Sequence, residues 1–251
     1  MSQVTQLVDF LICGAQKAGT SALAQSLGER SDIYMSRQKE LHLFDNDGFF
    51  TTDTPNYADY HNHFSTAQPY QLWGEATPAY MYWHASLQRI YQYNPNIKLI
   101  VILRNPIERA YSHWNMQQHN NAHAFSFREA LQHELLLKEQ GVTEHKKFSC
   151  IGRGFYSQQL KRMLQYFPRQ QLLALKYDVF KNQPQSALNS VFRFLKLAST
   201  EELHQINEVY ALPYHSKITS EDKQYLQSIF AQEIQTLEIM LDWDCSDWMI
   251  K

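Results

Sequence analysis

Val8-Asp9-Phe10-Leu11-Ile12-Cys13 runs directly into Gly14-Ala15-Gln16-Lys17-Ala18-Gly19-Thr20 and then into Ser21-Ala22-Leu23-Ala24-Gln25-Ser26-Leu27, and these twenty residues decide the fold. The first six are an apolar run suited to a buried strand, the next seven carry the two glycines of a tight loop, and the last seven read as a helix ended by Gly28. A strand, glycine loop and helix in that order aim consecutive backbone N–H groups, and the partial positive charge of a helix N-terminus, at one point. A phosphate-like anion is the natural guest. The separation of Gly14 and Gly19, with Thr20-Ser21 behind them, approaches the phosphate-loop pattern GxxxxGK[ST]. The lysine, however, sits inside the loop at Lys17, and Thr20 stands where nucleotide triphosphatases keep it.

A second strand, Lys98-Leu99-Ile100-Val101-Ile102-Leu103, is a continuous β-branched and leucine run of the kind found at the centre of a parallel sheet covered on both faces. It delivers Arg104, and Asn105-Pro106-Ile107-Glu108 then starts a helix with an N-cap, a proline at the first helical position and a capping-box glutamate. A helix over about Tyr156 to Tyr166, a third strand over Gln171 to Lys176, a helix over Pro184 to Leu195 and an amphipathic helix over Ser220 to Leu241 follow. This alternation predicts an α/β, three-layer, P-loop-like fold with a central, mainly parallel sheet flanked by helices. With no repeat, low-complexity tract or linker, residues 1–251 read as one domain. Ligands of such sheets sit outside the carboxyl ends of the strands, where the glycine loop and Arg104 both fall. Arg104 stands where a magnesium-dependent triphosphatase would place a carboxylate, so the site is cationic without needing a metal.

Composition narrows the partners. A chain of 251 residues with 44% hydrophobic and 19% charged residues is long enough for a real core, which excludes a disulfide-stapled miniprotein and a disordered tail. Lys+Arg 23 against Asp+Glu 25 leaves no global positive field for nucleic acid. Cys13, Cys150 and Cys245 form no CxxC pair, which points to a reducing cytosol. No stretch approaches the roughly 20 apolar residues that span a bilayer, and Asp9 interrupts the apolar run after the polar, uncharged Met1 to Gln6. A soluble, cytoplasmic protein without membrane insertion is expected. The pairs His61/His63 and His119/His123, and the cations Lys146, Lys147, Lys161 and Arg162, read as solvated surface.

These segments resemble the sulfotransferases that use 3'-phosphoadenosine 5'-phosphosulfate (PAPS), in particular their heparan-sulfate and bacterial branch. Lys17-Ala18-Gly19-Thr20-Ser21-Ala22 is similar to the KxGT[ST]-type loop that holds the 5'-phosphosulfate. Leu103-Arg104-Asn105-Pro106-Ile107-Glu108-Arg109-Ala110-Tyr111-Ser112 is similar to the strand-R-[ND]-P-x-[ED]-R-x-x-S motif that holds the 3'-phosphate. Lys39-Glu40-Leu41-His42-Leu43-Phe44-Asp45 resembles the KExHFFD segment whose glutamate is the general base, and Gly74-Glu75-Ala76-Thr77-Pro78-Ala79-Tyr80 resembles the E[KS][TS]PxY segment of the acceptor cleft. Arg153-Gly154-Phe155-Tyr156 and Phe167-Pro168 resemble the RGxY and FP landmarks, and Pro213-Tyr214-His215-Ser216-Lys217 falls where the family closes a loop over the nucleotide.

The resemblance implies in-line transfer of the sulfuryl group from PAPS, with PAP as product and no metal, to a hydroxyl or amine of a small-molecule or saccharide acceptor. It implies Lys17, Ala18, Gly19, Thr20, Ser21 and Ala22 at the 5'-phosphosulfate, Arg104 and Ser112 at the 3'-phosphate, and Arg153, Tyr156, Ser216 and Lys217 as further cofactor contacts. It further implies that Lys17 and Glu40 carry the chemistry, with His42 either an alternative base or a partner that orients Glu40. Glu40, His42, Glu75, Thr77 and Tyr80 are expected to meet the acceptor. Ala76 replaces the lysine of heparan-sulfate enzymes, which argues against a polyanionic polysaccharide. The aromatic stretch from Trp73 to Trp83, with Tyr57, Tyr60 and Phe64, predicts an apolar-walled acceptor cleft. A P-loop kinase or nucleotide-binding module using ATP is the alternative reading; the displaced lysine and missing carboxylate speak against it.

Overall fold

The apolar runs that begin and bisect the chain lie side by side at the centre of a parallel sheet. A computed structural model of the protein describes residues 6–52, 55–120, 124–199, 212–214 and 216–249. Strands β1 (Phe10–Gly14), β2 (Ile33–Met35), β3 (Leu72–Ala76), β4 (Lys98–Leu103) and β5 (Leu172–Lys176) are arranged in the order β2-β3-β1-β4-β5. All four strand pairs are parallel. Every residue of β1 is buried, and so is every residue of β4 after Lys98, as expected for strands covered on both faces. The sheet is flanked by α1 (Thr20–Gly28), α2 (Ala58–Asn62), α3 (His84–Tyr93), α4 (Pro106–His119), α5 (Phe127–Glu139), α6 (Tyr156–Tyr166), α7 (Tyr177–Asn182), α8 (Pro184–Leu195) and α9 (Ser220–Leu241).

Local chemistry sets the helix starts. Asn105 Oδ1 accepts from the Ile107 N–H at 3.0 Å with Pro106 opening α4, Ser126 and Glu129 form a reciprocal capping box on α5, and Thr219 caps α9 through the Asp222 N–H. From β1 the chain passes to β2 and β3 on one side, then crosses to β4 and β5 on the other. The carboxyl ends of β1 and β4 therefore bound the crevice at which an open α/β sheet takes its ligand. The mouth of that crevice is fixed by backbone: Ala15 N–H donates to Ile102 O at 2.8 Å and Met81 N–H to Cys13 O at 3.0 Å.

Much of the aromatic wall expected around an acceptor cleft is instead part of the core, while Tyr57, Trp73 and Trp83 are half-buried. Tyr60, Phe64 and Tyr80 are all buried. Phe44 meets Tyr60 and Tyr80 edge-on at 5.6 and 5.4 Å, and Phe64 stacks on Trp73 at 5.0 Å. The cluster packs beside β3 and the 40–45 loop, with Phe44 from that loop at its centre.

Gly74, in the middle of β3, shows how tightly this region is packed. A Cβ there would lie 2.2 Å from Phe10 Cζ and 2.7 Å from Met35 Sδ. Gly74→Ala is expected to destabilise the protein by about 1–3 kcal/mol through overpacking, read from the denaturant midpoint. A loss under about 0.5 kcal/mol, the usual range of a surface change, would contradict this packing.

Candidate active site

The glycine loop is shaped by its backbone. Gly19 is the N-cap of α1 with φ 90°, and a Cβ there would lie 3.1 Å from Tyr177 Cε2, so both conformation and space require glycine. No side chain caps α1 and no acidic residue lies in its first turn, which leaves that turn's N–H groups open to an external anion. Ala18 and Thr20 are buried in the loop, while Ser21 and Ala22 are half-buried. Lys17 adopts the left-handed backbone, φ 70°. Burial lowers the pKa of its ammonium, as do the neighbouring charges of Arg104 and Lys39, with Glu40 pulling the other way.

Arg104 joins the two halves of the crevice. Its Nη1 donates to Lys17 O at 3.4 Å, and its Nε and Nη2 donate to Glu108 Oε2 at 3.1 and 2.8 Å. The guanidinium lies 5.0 Å from the centre of the Tyr177 ring. Ser112 is nearly buried, two turns further along α4. The segment through Ser216 is laid along the same helix: Tyr111 Oη donates to Ser216 O at 2.8 Å, Tyr214 stacks on Tyr111 at 5.6 Å, and Asn115 Nδ2 donates to Pro213 O at 3.1 Å. Lys217 is exposed on that segment, whereas His215 and His123 lie outside the described residues.

Beside Lys17, five side chains alternate in charge. The Lys39 ammonium contacts Glu40 Oε1; Glu40 Oε2 is 3.5 Å from His42 Nε2; His42 Nδ1 is 2.9 Å from Asp45 Oδ2; and Lys146 Nζ is 3.9 Å from the same Asp45 oxygen. Hydrogen bonds that His42 donates to Asp45 and then to Glu40 raise its pKa to about 9, so His42 is protonated at neutral pH. Burial pushes the Glu40 carboxyl up, but His42 and Lys39 outweigh it and hold the group at about 2. Glu40 and His42 both have positive φ, 57° and 52°. Of the five described non-glycine residues with positive φ, Lys196 and Asp242 close helices, and the other three are Lys17, Glu40 and His42.

Several residues take other places than expected. Glu75 and Thr77 are wholly buried and Tyr80 is buried with them, so they offer an acceptor no surface. Glu75 accepts from Tyr60 Oη at 3.0 Å, Tyr80 Oη at 3.1 Å, the Thr77 hydroxyl and the Leu41 N–H, while Leu43 N–H donates to Tyr80 Oη at 3.1 Å. The acidic group is thus an internal bracket for the 40–45 loop. Arg153 is walled in as well, its Nε donating to Ser149 Oγ at 2.8 Å and its guanidinium 4.4 Å from the Tyr82 ring centre; burial lowers its pKa to about 10. Tyr156, fully buried, donates to Arg104 O at 3.0 Å and so fixes the strand end instead of lining the crevice. Arg162, expected on a solvated face, is half-buried and donates to Tyr82 O at 3.1 Å. Lys39, Asp45 and Tyr177 gain a place that the sequence reading did not assign; for Asp45 the signal was its spacing of three residues from His42.

Burial raises the Glu75 pKa to about 7, outweighing the four hydrogen bonds that its carboxylate accepts. The folded state therefore binds more protons than the unfolded chain between the ordinary value of 4.5 and about 7, and stability is lost as pH rises through that window. Glu75→Gln cannot ionise. Relative to that variant, the wild type is expected to lose up to about 3 kcal/mol between about pH 5 and pH 8, measured by urea unfolding. Parallel profiles for the two proteins would contradict it.

Comparison with known proteins gives the family and supports the fold. The family model for the sulfotransferase domain matches residues 7–236. The chain is 30% identical over 202 residues to heparan sulfate glucosamine 3-O-sulfotransferase 5 of Mus musculus, covering 77% of this chain and 55% of that protein, so it spans about half the length of that relative. A crystal structure of a sulfotransferase from Alicyclobacillus acidocaldarius superposes with a TM-score of 0.83 at 26% identity, covering 98% of this chain and 99% of that one. A mouse sulfotransferase complexed with PAP shares the fold, with a TM-score of 0.58 at 12% identity over 92% of this chain and 85% of that one. The chain belongs to the sulfotransferase family.

Proposed function

We propose that this single-domain enzyme uses PAPS as donor and Glu40 as base to sulfate a hydroxyl or amine of a small-molecule or saccharide acceptor. The observation that carries the reading is the contact of Arg104 with the Lys17 carbonyl, which makes one cationic crevice of the glycine loop and the β4 end. Two separated phosphates suit such a crevice: Lys17 and the open first turn of α1 at the 5' end, Arg104 and Ser112 at the 3' end. Pro213, Tyr214 and Ser216, lying along α4, fit a cover for the same nucleotide.

The donor supplies an activated sulfuryl group whose leaving group is a phosphate. Glu40 takes the proton of the acceptor as the new bond to sulfur forms, and Lys17 with the loop N–H groups stabilises the charge that develops on the departing 5'-phosphate as the old S–O bond breaks. His42 is already protonated at neutral pH, which supports it as an orienting and charge-stabilising partner and Glu40 as the base. Asp45 keeps the His42 Nδ1–H directed inward, so Nε2 faces Glu40. The kinase alternative has no observation in its favour, because the β4 end presents a guanidinium. Three free, buried cysteines support a reducing, cytoplasmic setting, and among the described residues no helix is long and apolar enough to cross a membrane.

Arg104→Ala is expected to weaken PAP binding about 10- to 100-fold through loss of charge-assisted hydrogen bonds, with Lys in its place restoring only part. Wild-type PAP binding is expected to survive EDTA and to exceed binding of ATP with magnesium in the same calorimetric experiment. Unchanged affinity in Arg104→Ala would remove the 3'-phosphate assignment. In single-turnover assays with labelled PAPS and a panel of hydroxyl and amine acceptors, Glu40→Gln is expected to slow transfer roughly 10²-fold or more without losing PAP affinity. A near-normal Glu40→Gln beside an inactive His42→Ala would give the base role to the histidine.

A further inference from the structure

Lys39 is a cation that the transfer chemistry above leaves without a task. Its ammonium sits on Oε1 of Glu40 while His42 faces Oε2, so both oxygens of the base are engaged. The base itself has little freedom to escape. Glu40 is held in the left-handed backbone, its N–H donates to Ala76 O at 3.1 Å at the end of β3, and His42 is anchored by the buried Asp45. Lys39 differs: its side chain is 30% exposed and carries its charge on a flexible four-carbon stem. The charged groups facing Glu40 are Lys39, His42 and Lys17, and Lys17 in turn is surrounded by Arg104 and Lys39. Lys39 thus contacts one anionic position, the Glu40 carboxylate, and acts electrostatically on Lys17 at the mouth of the loop, where a donor's charge would lie.

We propose that Lys39 is a donor-responsive mask on the base: it occupies Oε1 of Glu40 while the loop is empty and swings its charge to an anionic 5'-phosphate or 5'-phosphosulfate when one binds, freeing Oε1 for the acceptor proton. The inference rests on the reading of Glu40 as base. No covalent step is added; one ion pair is exchanged for another, and the proton still passes from acceptor to Glu40. The exchange raises the basicity of Glu40 twice over, by removing an adjacent cation and by bringing the donor's negative charge near. It makes deprotonation of the acceptor conditional on a bound donor. Lys39 is a positioning residue for the base and, once the donor is bound, a donor contact.

The test is a ¹³C NMR titration of the enzyme labelled at glutamate carboxyl carbons, with the Glu40 signal assigned by its loss in Glu40→Gln and PAP as the probe. Without PAP, Glu40 of the wild type is expected to stay ionised down to about pH 4, below the ordinary glutamate midpoint. Saturating PAP is expected to raise its midpoint by about one pH unit or more. In Lys39→Met the midpoint starts high, PAP adds less than about half the wild-type shift, and PAP binds about tenfold more weakly. Lys39→Arg keeps the cation and restores the wild-type pattern, and Lys39→Gln repeats the Met result with a polar side chain. An equal PAP-induced shift in wild type and Lys39→Met, or none in the wild type, overturns the mask. Turnover of Glu40→Gln separates the two layers: retained turnover removes the base assignment itself, whereas lost turnover without a Lys39-dependent shift removes only the mask.

Discussion

Like charges gathered in a half-buried crevice repel one another, and the region around the carboxyl ends of β1 and β4 is organised by that repulsion. Lys17, Lys39, Arg104 and a protonated His42 converge there, and the protein answers each with an acid: Glu40 between Lys39 and His42, Asp45 behind His42, Glu108 beside Arg104. Among the described residues Lys17 forms no ion pair within 4 Å; burial and its cationic neighbours depress its pKa, and the charge of Glu40 pulls the other way. A multiply charged anion relieves this imbalance, so the driving force for donor binding is already stored in the arrangement of the free protein.

Holding that arrangement requires a backbone with little choice. The left-handed residues Lys17, Glu40 and His42 are each tied to a neighbour: Lys17 O accepts from Arg104, Glu40 N–H donates to Ala76 O, and His42 Nδ1 pairs with Asp45. Beneath the 40–45 loop, Glu75 collects donors from Tyr60, Thr77, Tyr80 and Leu41, and Tyr80 in turn receives the Leu43 N–H. At the other end, the buried Tyr156 fixes the Arg104 carbonyl. Buried residues thereby hold the half-exposed side chains of the crevice in place, the division expected of a preorganised site.

Much of this was legible in the sequence. The bounds of β4, α6, α8 and α9 fall where hydrophobic period, Pro106 or Pro184 and the β-branched run place them, because each has a strong local signal. Strands β2 and β3 escaped notice: the first has only three residues, and the second interrupts its apolar run with Gly74 and Glu75. The glycine loop and the capped start of α4 were readable because both are local devices. The roles of Glu75, Thr77, Tyr80, Arg153 and Tyr156 were not, since burial and partnership are set by long-range packing. The same holds for the aromatic residues near Trp73: sequence counts rings, and only the fold decides whether they line a cleft or fill a core.

The central claim is that one crevice reads two phosphates at once, and the most direct measurement is a calorimetric comparison of PAP with adenosine 5'-monophosphate, which differ only in the 3'-phosphate. The account predicts that PAP binds on the order of 100-fold more tightly and that the difference collapses in Arg104→Ala. Equal affinity of the wild type for the two nucleotides would contradict it.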